Sequence, residues 1–178
     1  SARADIFSEG QIAAGSMNHV RGDLNLYRLG PDPRFDLRFY HDKIDGYGLR
    51  SAGSGFFHSD DLLEGNLAFS TAAADLSFAG GLTESSEGLQ GVGDYEILTY
   101  RRVNGSGILT YPLSDTASID AEIGTAYAQQ ILSSESPAIT TELEIDAGAG
   151  FSFRTQAYVL DIDLEYMFLD TAVAFHRI

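Results

Sequence analysis

Carboxylate side chains at alternate positions are the residues of this chain best placed to do chemistry. If residues 157–168 form a β-strand, Asp161, Asp163 and Glu165 share one face, because successive strand side chains point to opposite sides. Residues 118–127 and 141–153 repeat this spacing, and they add Asp120, Glu122, Glu142, Glu144 and Asp146. We predict that these eight carboxylates line one polar surface that faces a lumen and favours cations.

The opposite face of the same three segments is apolar. In residues 157–168 it carries Leu160, Ile162 and Leu164. Like charges directly across a sheet repel one another, so we expect water, bound cations or nearby arginines to offset the acidic rows, with Arg38, Arg101 and Arg102 as the candidates. The other interpretation is a hydrated polar surface without a selective site, and no particular metal follows from either.

The four histidines do not have the spacing of metal ligands. The run of residues 58–61, His-Ser-Asp-Asp, contains the residue types of a hydrolase triad, but a triad depends on spatial geometry. Paired carboxylates that cleave glycosides need different environments, which a row of equivalent acids does not provide. We therefore expect no enzyme and no cofactor, and keep a rim-site hydrolase that uses His58 as a third hypothesis.

Alternating hydrophobicity predicts about eight to ten strands in a single domain, residues 1–178. Residues 1–20 are predicted to form a leading segment or a weak strand. Asn104-Gly105 is predicted either to form a hairpin turn or to lie within one long strand. The other strands are predicted at residues 23–29, 34–41, 62–71, 75–83, 95–111, 118–132, 141–153 and 157–168, with another beginning at 170.

Long polar loops alternate with short turns along the chain. Residues 42–61, 84–94 and 133–139 form the long loops, and the glycine-rich first of these carries aromatic side chains. Exposed loops are common sites of recognition. The residues predicted to contact a ligand there are Tyr47, Phe56, Phe57 and His58.

Composition excludes several classes of protein. The formal net charge of -15 argues against nucleic acid as a partner. Cysteine is absent, so no disulfide framework exists. The sequence has no apolar run of the roughly 18 residues that a membrane helix needs. The acidity lies mainly in residues 103–178, where only Arg154 and Arg177 oppose eleven acidic side chains.

Two all-β architectures fit these patterns. No helical periodicity separates the strands, which excludes a parallel βαβ sheet. An antiparallel meander that forms a transmembrane-type β-barrel of about 8–10 strands, or part of a larger barrel, fits the long strands and the alternation of short turns with long loops. A two-sheet sandwich is the alternative.

Three segments resemble TonB-dependent outer-membrane transporters. Residues 15–48 resemble the first barrel strands of that family, in which an aromatic strand leads into an Asp-Gly-Tyr loop, here Asp45-Gly46-Tyr47. Residues 85–91 resemble the exposed loop after the fourth strand, and residues 110–128 resemble an outer-membrane hairpin. The resemblance covers about residues 10–130. It implies a transporter fragment or a smaller relative, because the family's plug domain and later strands are absent.

The function that these observations predict is passive. A porin-like barrel in the bacterial outer membrane would have the lipid bilayer as its partner and would pass or bind a cation or small polar solute. The alternative is a soluble or surface-assembled β-sheet protein that binds a partner, calcium or further copies of itself, since oxygen-only ligands suit calcium.

Overall fold

The computed structural model describes residues 5–30, 32–46, 50, 55–91, 94–134 and 137–175. These residues form nine β-strands. The strands are β1 (Asp5–Ala14), β2 (Val20–Leu29), β3 (Arg34–Asp45), β4 (Phe57–Ser70), β5 (Asp75–Gly88), β6 (Ile97–Ser114), β7 (Ala117–Ser133), β8 (Ala138–Arg154) and β9 (Val159–Phe175). The described residues include no helix long and apolar enough to cross a membrane.

All nine strands join one antiparallel sheet in chain order, from β1 at one edge to β9 at the other. The predicted all-β meander is confirmed. The two-sheet sandwich is wrong, because each strand pairs with its neighbours in sequence and the described strands form a single continuous sheet. Among the described strands, no ladder joins β9 to β1.

Several strand boundaries differ from the prediction. The leading segment contains a full strand, β1, which pairs with β2 from Asp5 to Ala14. Strand β6 passes through Asn104 and Gly105 without a turn, because both residues pair with β5 on one side and β7 on the other. The last segment is not a new strand, since β9 continues without a break to Phe175.

Connections of different length lie at the two ends of the sheet. Residues 15–19, 46–56, 89–96 and 134–137 connect strands at what we call the loop end. Residues 30–33, 71–74, 115–116 and 155–158 connect them at the turn end. The two longest loops are shorter than predicted, because pairing extends β3, β4 and β5 into the polar sequence.

The turn end of the sheet is staggered. Arg34, at the start of β3, pairs with Ala68, but β4 continues past that residue to Ser70. Thr110 pairs with the first residue of β5, but β6 continues past it to Ser114. From β3 to β8, each short turn therefore lies farther along the strand direction than the one before.

Cross-strand pairing divides the side chains into two sheet-wide faces. Paired residues share a face, so the register extends each face from β1 to β9. The apolar face consists of even-numbered residues in β1, β2, β5 and β9 and odd-numbered residues in the other strands. The polar face consists of the remaining residues.

The sheet has almost no buried core. Of the described hydrophobic residues, Ala138 is the one that is buried, while Ile123 on the apolar face is 62% exposed and Leu164 is 70% exposed. A sheet is stable when its apolar face packs against another layer. The apolar face of this sheet therefore requires a cover that the described residues do not supply.

The exposure of side chains along β7 indicates that the sheet curves towards its polar face there. Along β7 the apolar-face residues Ile119, Ile123 and Tyr127 are exposed, whereas Asp120 and Ala126 on the polar face are half-buried. Side chains crowd together on the concave side of a curved sheet and separate on the convex side. The polar face is thus the inner face at this strand, and the apolar face is the outer one.

Candidate functional site

The eight predicted carboxylates all lie on the polar face of β7, β8 and β9. Asp120 pairs with Gly150, which in turn pairs with Asp163. Glu122 pairs with Gly148, the residue opposite Glu165 on β9. The register assigns Glu142, Glu144, Asp146 and Asp161 to the same face. The structure thus gathers residues of three strands on one face of the sheet.

No two of these carboxylates are direct cross-strand partners. On the neighbouring strands, each acid faces a residue other than Asp or Glu, in most cases a small one. The partners include Gly124 opposite Asp146, Ala126 opposite Glu144 and Ser152 opposite Asp161. Like charges directly opposite one another would cost stability in a sheet. The expectation that the acids of these strands oppose one another in this way is therefore wrong.

Glycines provide the space into which the carboxylates fold. A Cβ atom on Gly150 would lie 3.0 Å from Oδ1 of Asp163 and 3.6 Å from Cβ of Asp120. At Gly124, an added Cβ atom would overlap the carboxylate of Asp146. These side chains therefore lie against the sheet wall, over bare backbone, instead of extending straight into the concave space.

Two grooves follow this acidic surface. The smaller, of about 140 Å³, is lined by Glu122, Asp163 and Glu165 around Gly148 and Gly150. The larger, of about 550 Å³, lies nearer the turn end, and its lining includes Asp120, Ser152, Arg154, Asp161 and Asp163. Within the described part of the chain, no group of three or more His, Asp or Glu residues is arranged to hold a metal ion.

Few hydrogen-bond donors balance the acids. Thr110 donates to Oδ1 of Asp120 at 2.7 Å, and Ser152 donates to Oδ1 of Asp161 at 2.7 Å. Arg154 lies 3.7 Å from the same Asp161 oxygen and is the single Lys or Arg among the described residues of β7 to β9. The acidic surface therefore keeps a large excess of negative charge.

Two of the three arginines predicted to offset these acids lie elsewhere. Arg101 is on the apolar face, where its Nε donates to Glu84 at 2.6 Å. Arg38 is on the polar face but in β3, four strands from β7, and contacts Asp23 at 3.3 Å and Glu64 at 3.5 Å. The predictions for these two residues are wrong. Arg102 is on the polar face of β6.

The polar face is therefore electrostatically uneven along the sheet. In β2 to β4 its acids have cationic or amide partners, such as Arg38 for Asp23 and Asn66 for Asp36, where Nδ2 donates at 2.9 Å. In β7 to β9 the same face has glycine and alanine beside the acids. The sequence pattern identified the acids but not the role of the glycines opposite them. Gly148 and Gly150 continue the two-residue spacing of the acids in β8, which is the signal that could have identified them.

The histidine run at residues 58–61 is divided between the two faces. His58 and Asp60 lie on the polar face, with Nε2 and Oδ2 2.7 Å apart. Ser59 and Asp61 lie on the apolar face, where Asp61 contacts Nδ1 of His41 at 2.7 Å. Strand alternation thus separates Ser59 from His58, and these neighbours do not form a triad.

The four residues predicted to contact a ligand are in different settings. Tyr47 lies outside the described residues. Phe56 lies in the connection between β3 and β4, where the guanidinium of Arg50 is 5.3 Å from its ring centroid. Phe57 and His58 are the first two residues of β4 and point to opposite faces, so they are not loop residues as predicted. Their role in ligand binding stays a prediction.

One polar row crosses the apolar face near its loop end. The row, which we call the border row, joins six residues that are consecutive cross-strand partners from β3 to β8. They are His41, Asp61, Glu84, Arg101, Gln129 and Thr141. From this row to the turn end, the apolar face of β4 to β8 has no charged residue.

The chain was compared with protein-family models, with curated proteins and with solved structures, and none of the three comparisons gives a match.

Proposed function

We propose that this chain is an outer-membrane β-barrel, or a segment of one, whose acidic hydrated interior passes or binds a cation or small polar solute without an energy source. The observation that carries the proposal is the two-faced sheet, whose uncovered apolar face lies opposite an acidic concave face. A bilayer covers such an outer face, and water fills such an inner face. The proposed location is the bacterial outer membrane.

The height of the apolar face supports a bilayer as its cover. On β8 the face is apolar from Leu143, next to the border row, to Phe153 near the turn end. Ten residue steps at roughly 3.3 Å each give a length of about 33 Å along the strand. A strand tilt of about 40° reduces this length to a height of about 25 Å, which matches the apolar band of outer-membrane barrels.

The stagger at the turn end supports such a tilt. From the turn at residues 30–33 to the turn at residues 155–158, the position of the short turns shifts by about six residues along the strands, over about six strand spacings. At roughly 3.3 Å per residue and 4.8 Å per strand, the line that joins the turns slopes by about 35° from the perpendicular to the strands. If the short turns lie at one membrane surface, the strands tilt by this angle. Strands of transmembrane barrels tilt by about 35–45°.

The charge of the concave face supports a preference for cations. Carboxylates along the wall of a water-filled lumen raise the local concentration of cations and repel anions. Because glycines let the acids fold against the wall, the negative charge does not block the lumen. The enzyme hypothesis has weaker support, because Ser59 and His58 point to opposite faces.

Ion selectivity in a lipid bilayer tests the proposal. The chain is folded in detergent and reconstituted in planar bilayers, and the reversal potential is measured across a KCl gradient. We expect a potential of the sign that cation passage gives, and a decrease in its size for the Glu122→Gln/Asp163→Asn variant. The control variant, Asp75→Asn, removes one carboxylate near the turn end, away from β7 to β9.

A surface-assembled sheet is the second candidate, favoured by the unpaired edges at β1 and β9. Copies of the chain would then cover the apolar face in water. Circular dichroism and mass measurements with and without detergent separate the two candidates. A chain that is β-rich in detergent alone, and that resists SDS until it is boiled, supports the barrel. A folded assembly in plain buffer that does not conduct in bilayers contradicts it.

A further inference from the structure

Of the features that protect a sheet edge from pairing, the outer edge of β9 has only acidic side chains. Natural edge strands are blunted by charged side chains, especially lysine, by proline, by bulges or by short length. Strand β9 runs through Val159–Phe175 without Pro, Gly, Lys or Arg and pairs with β8 in unbroken register. Among the described strands nothing pairs with its other side. Its backbone is therefore a long, open template for a strand that these acidic side chains do not repel.

Strand direction restricts which strand fits this edge. Every ladder from β1 to β9 is antiparallel, so β9 runs in the same direction as β1. Closure of β9 onto β1 of the same chain would make a parallel ladder, and so would β1 of a second copy in the same orientation. The partner that continues the antiparallel order is a different strand.

Charge restricts the partner further. On the polar face β9 presents Asp161, Asp163 and Glu165 at consecutive inward positions. On the β8 side, Asp163 faces Gly150 and Glu165 faces Gly148, so neither has a cation beside it there. Opposite charges across adjacent strands stabilise a sheet. A strand with basic residues at the matching positions would therefore pair with these acids.

We propose that the open edge of β9 is an interaction surface for an antiparallel β-strand with basic residues on the polar face and apolar residues on the other. The proposal concerns the edge of the sheet and does not depend on ion conduction. A chain that conducts no ions can still accept the strand, so the two proposals fail separately.

The absence of cysteine from these 178 residues gives a clean cross-linking test. The full chain, folded in detergent, carries Leu164→Cys on β9 or, as a matched control, Ile145→Cys on the same face of β8. The probe is a synthetic strand peptide with Lys at every second position, apolar residues between them and one Cys. We expect a disulfide with the β9 variant and little with the β8 variant, because β8 already has two neighbours.

Charge variants test recognition of the basic strand. In the Leu164→Cys background, Asp163→Asn/Glu165→Gln should weaken capture of the lysine peptide by about fivefold, because two cross-strand charge pairs are lost. Glu142→Gln/Glu144→Gln removes the same charge from β8 and should leave capture nearly unchanged. Equal loss in both variants would show general attraction to an acidic protein and would overturn the proposal.

Two further outcomes would also overturn it. A disulfide between two copies of the Leu164→Cys variant, without peptide, would identify an inverted second copy as the partner. A disulfide within one chain that carries Ser8→Cys and Leu164→Cys would identify β1. As a readout that needs no variant, amide hydrogen exchange should slow at alternate residues of β9 when the lysine peptide binds, since alternate amides point to the open edge.

Discussion

The side chain of Glu122 lies over the backbone of Gly148, its direct partner on the adjacent strand. A Cβ atom on Gly148 would be 2.7 Å from both Cγ and Oε1 of Glu122. The glycine thus sets the position of the acid: it lets the carboxylate lie along the wall of the concave face. Any other residue at this position forces Glu122 away from the wall.

The first prediction concerns this pair. Gly148→Ala should give a chain about 1 kcal/mol less stable than Gly22→Ala, because Glu122 must leave its side-chain conformation. The control is informative because a Cβ atom on Gly22 meets nothing within 4 Å. Urea unfolding in detergent, followed by circular dichroism, measures both variants. Equal stability would show that Glu122 moves without cost.

The second prediction tests lipid contact on the apolar face. Ile123→Lys places a charge in the middle of the apolar face of β7 and should reduce the free energy of folding into bilayers by about 2–4 kcal/mol. Gln129→Lys, on the same strand and face but in the border row, should cost about 0–1 kcal/mol. Folding titrations in lipid vesicles measure this difference.

A small and equal effect of the two lysines would contradict the lipid-facing assignment. The same comparison in detergent micelles serves as a control, since micelles adapt to a charged side chain more easily than a bilayer does. We therefore expect the difference between Ile123→Lys and Gln129→Lys to be smaller in micelles than in vesicles.

The third prediction concerns a close approach at the loop end. Gly55 has a φ of +78°, and a Cβ atom there would lie 2.8 Å from the backbone nitrogen of Gln90. Gly91 has a similar φ of +70° but open space around it. Gly91→Ala should cost about 1 kcal/mol for its left-handed backbone, and Gly55→Ala should cost about 1 kcal/mol more because backbone must move.

Thermal unfolding of the two glycine variants provides the measurement. If Gly55→Ala and Gly91→Ala lower Tm equally, the contact between the connection 46–56 and the residues after β5 does not contribute to stability. A larger effect of Gly55→Ala identifies that contact as part of the folded loop end.

The fourth prediction concerns the ion pair in the border row. Nε of Arg101 and Oε2 of Glu84 are 2.6 Å apart, with both side chains partly exposed. A double-mutant cycle with Arg101→Gln and Glu84→Gln should give a coupling energy of about 0.5–1 kcal/mol. The longer contact between Arg154 and Asp161, at 3.7 Å, should give a coupling energy of about 0.2 kcal/mol or less.

Salt dependence adds a check on that ion pair. Raising the ionic strength should weaken the coupling between Arg101 and Glu84, because the pair is accessible to water. A coupling that does not change with salt would mean that the two residues interact through the packing of their side-chain stems instead of through charge.

The parts of the fold that the sequence predicted well are those in which hydrophobicity alternates strictly. Strands β8 and β9 are identifiable because apolar residues recur at every second position over about ten residues, with three acidic residues between them in each strand. Strand β1 has Ile6 and Ile12 as widely spaced apolar residues, so its sequence shows little alternation. Its extended structure is evident only from its pairing with β2. Asn104-Gly105 has a hairpin sequence, but ladders on both sides keep it extended.

The candidate site was predictable in part. Alternation alone assigned the eight carboxylates to one side of their own strands. Their positions relative to one another depend on register, which the sequence does not reveal. Register is the reason that Asp120 and Asp163 lie on either side of Gly150, and the reason that Arg101 lies on the opposite face. The border row likewise emerges only when His41, Asp61 and Glu84 are aligned across strands.

The order of the strands has a consequence for how such a sheet can change in size. Each strand pairs only with the strands that precede and follow it in the chain. Duplication or loss of one hairpin, such as β4 with β5, would therefore leave the direction of every other strand unchanged. The circumference of the proposed barrel can therefore vary in steps of two strands, while the acidic segment from β7 to β9 stays intact.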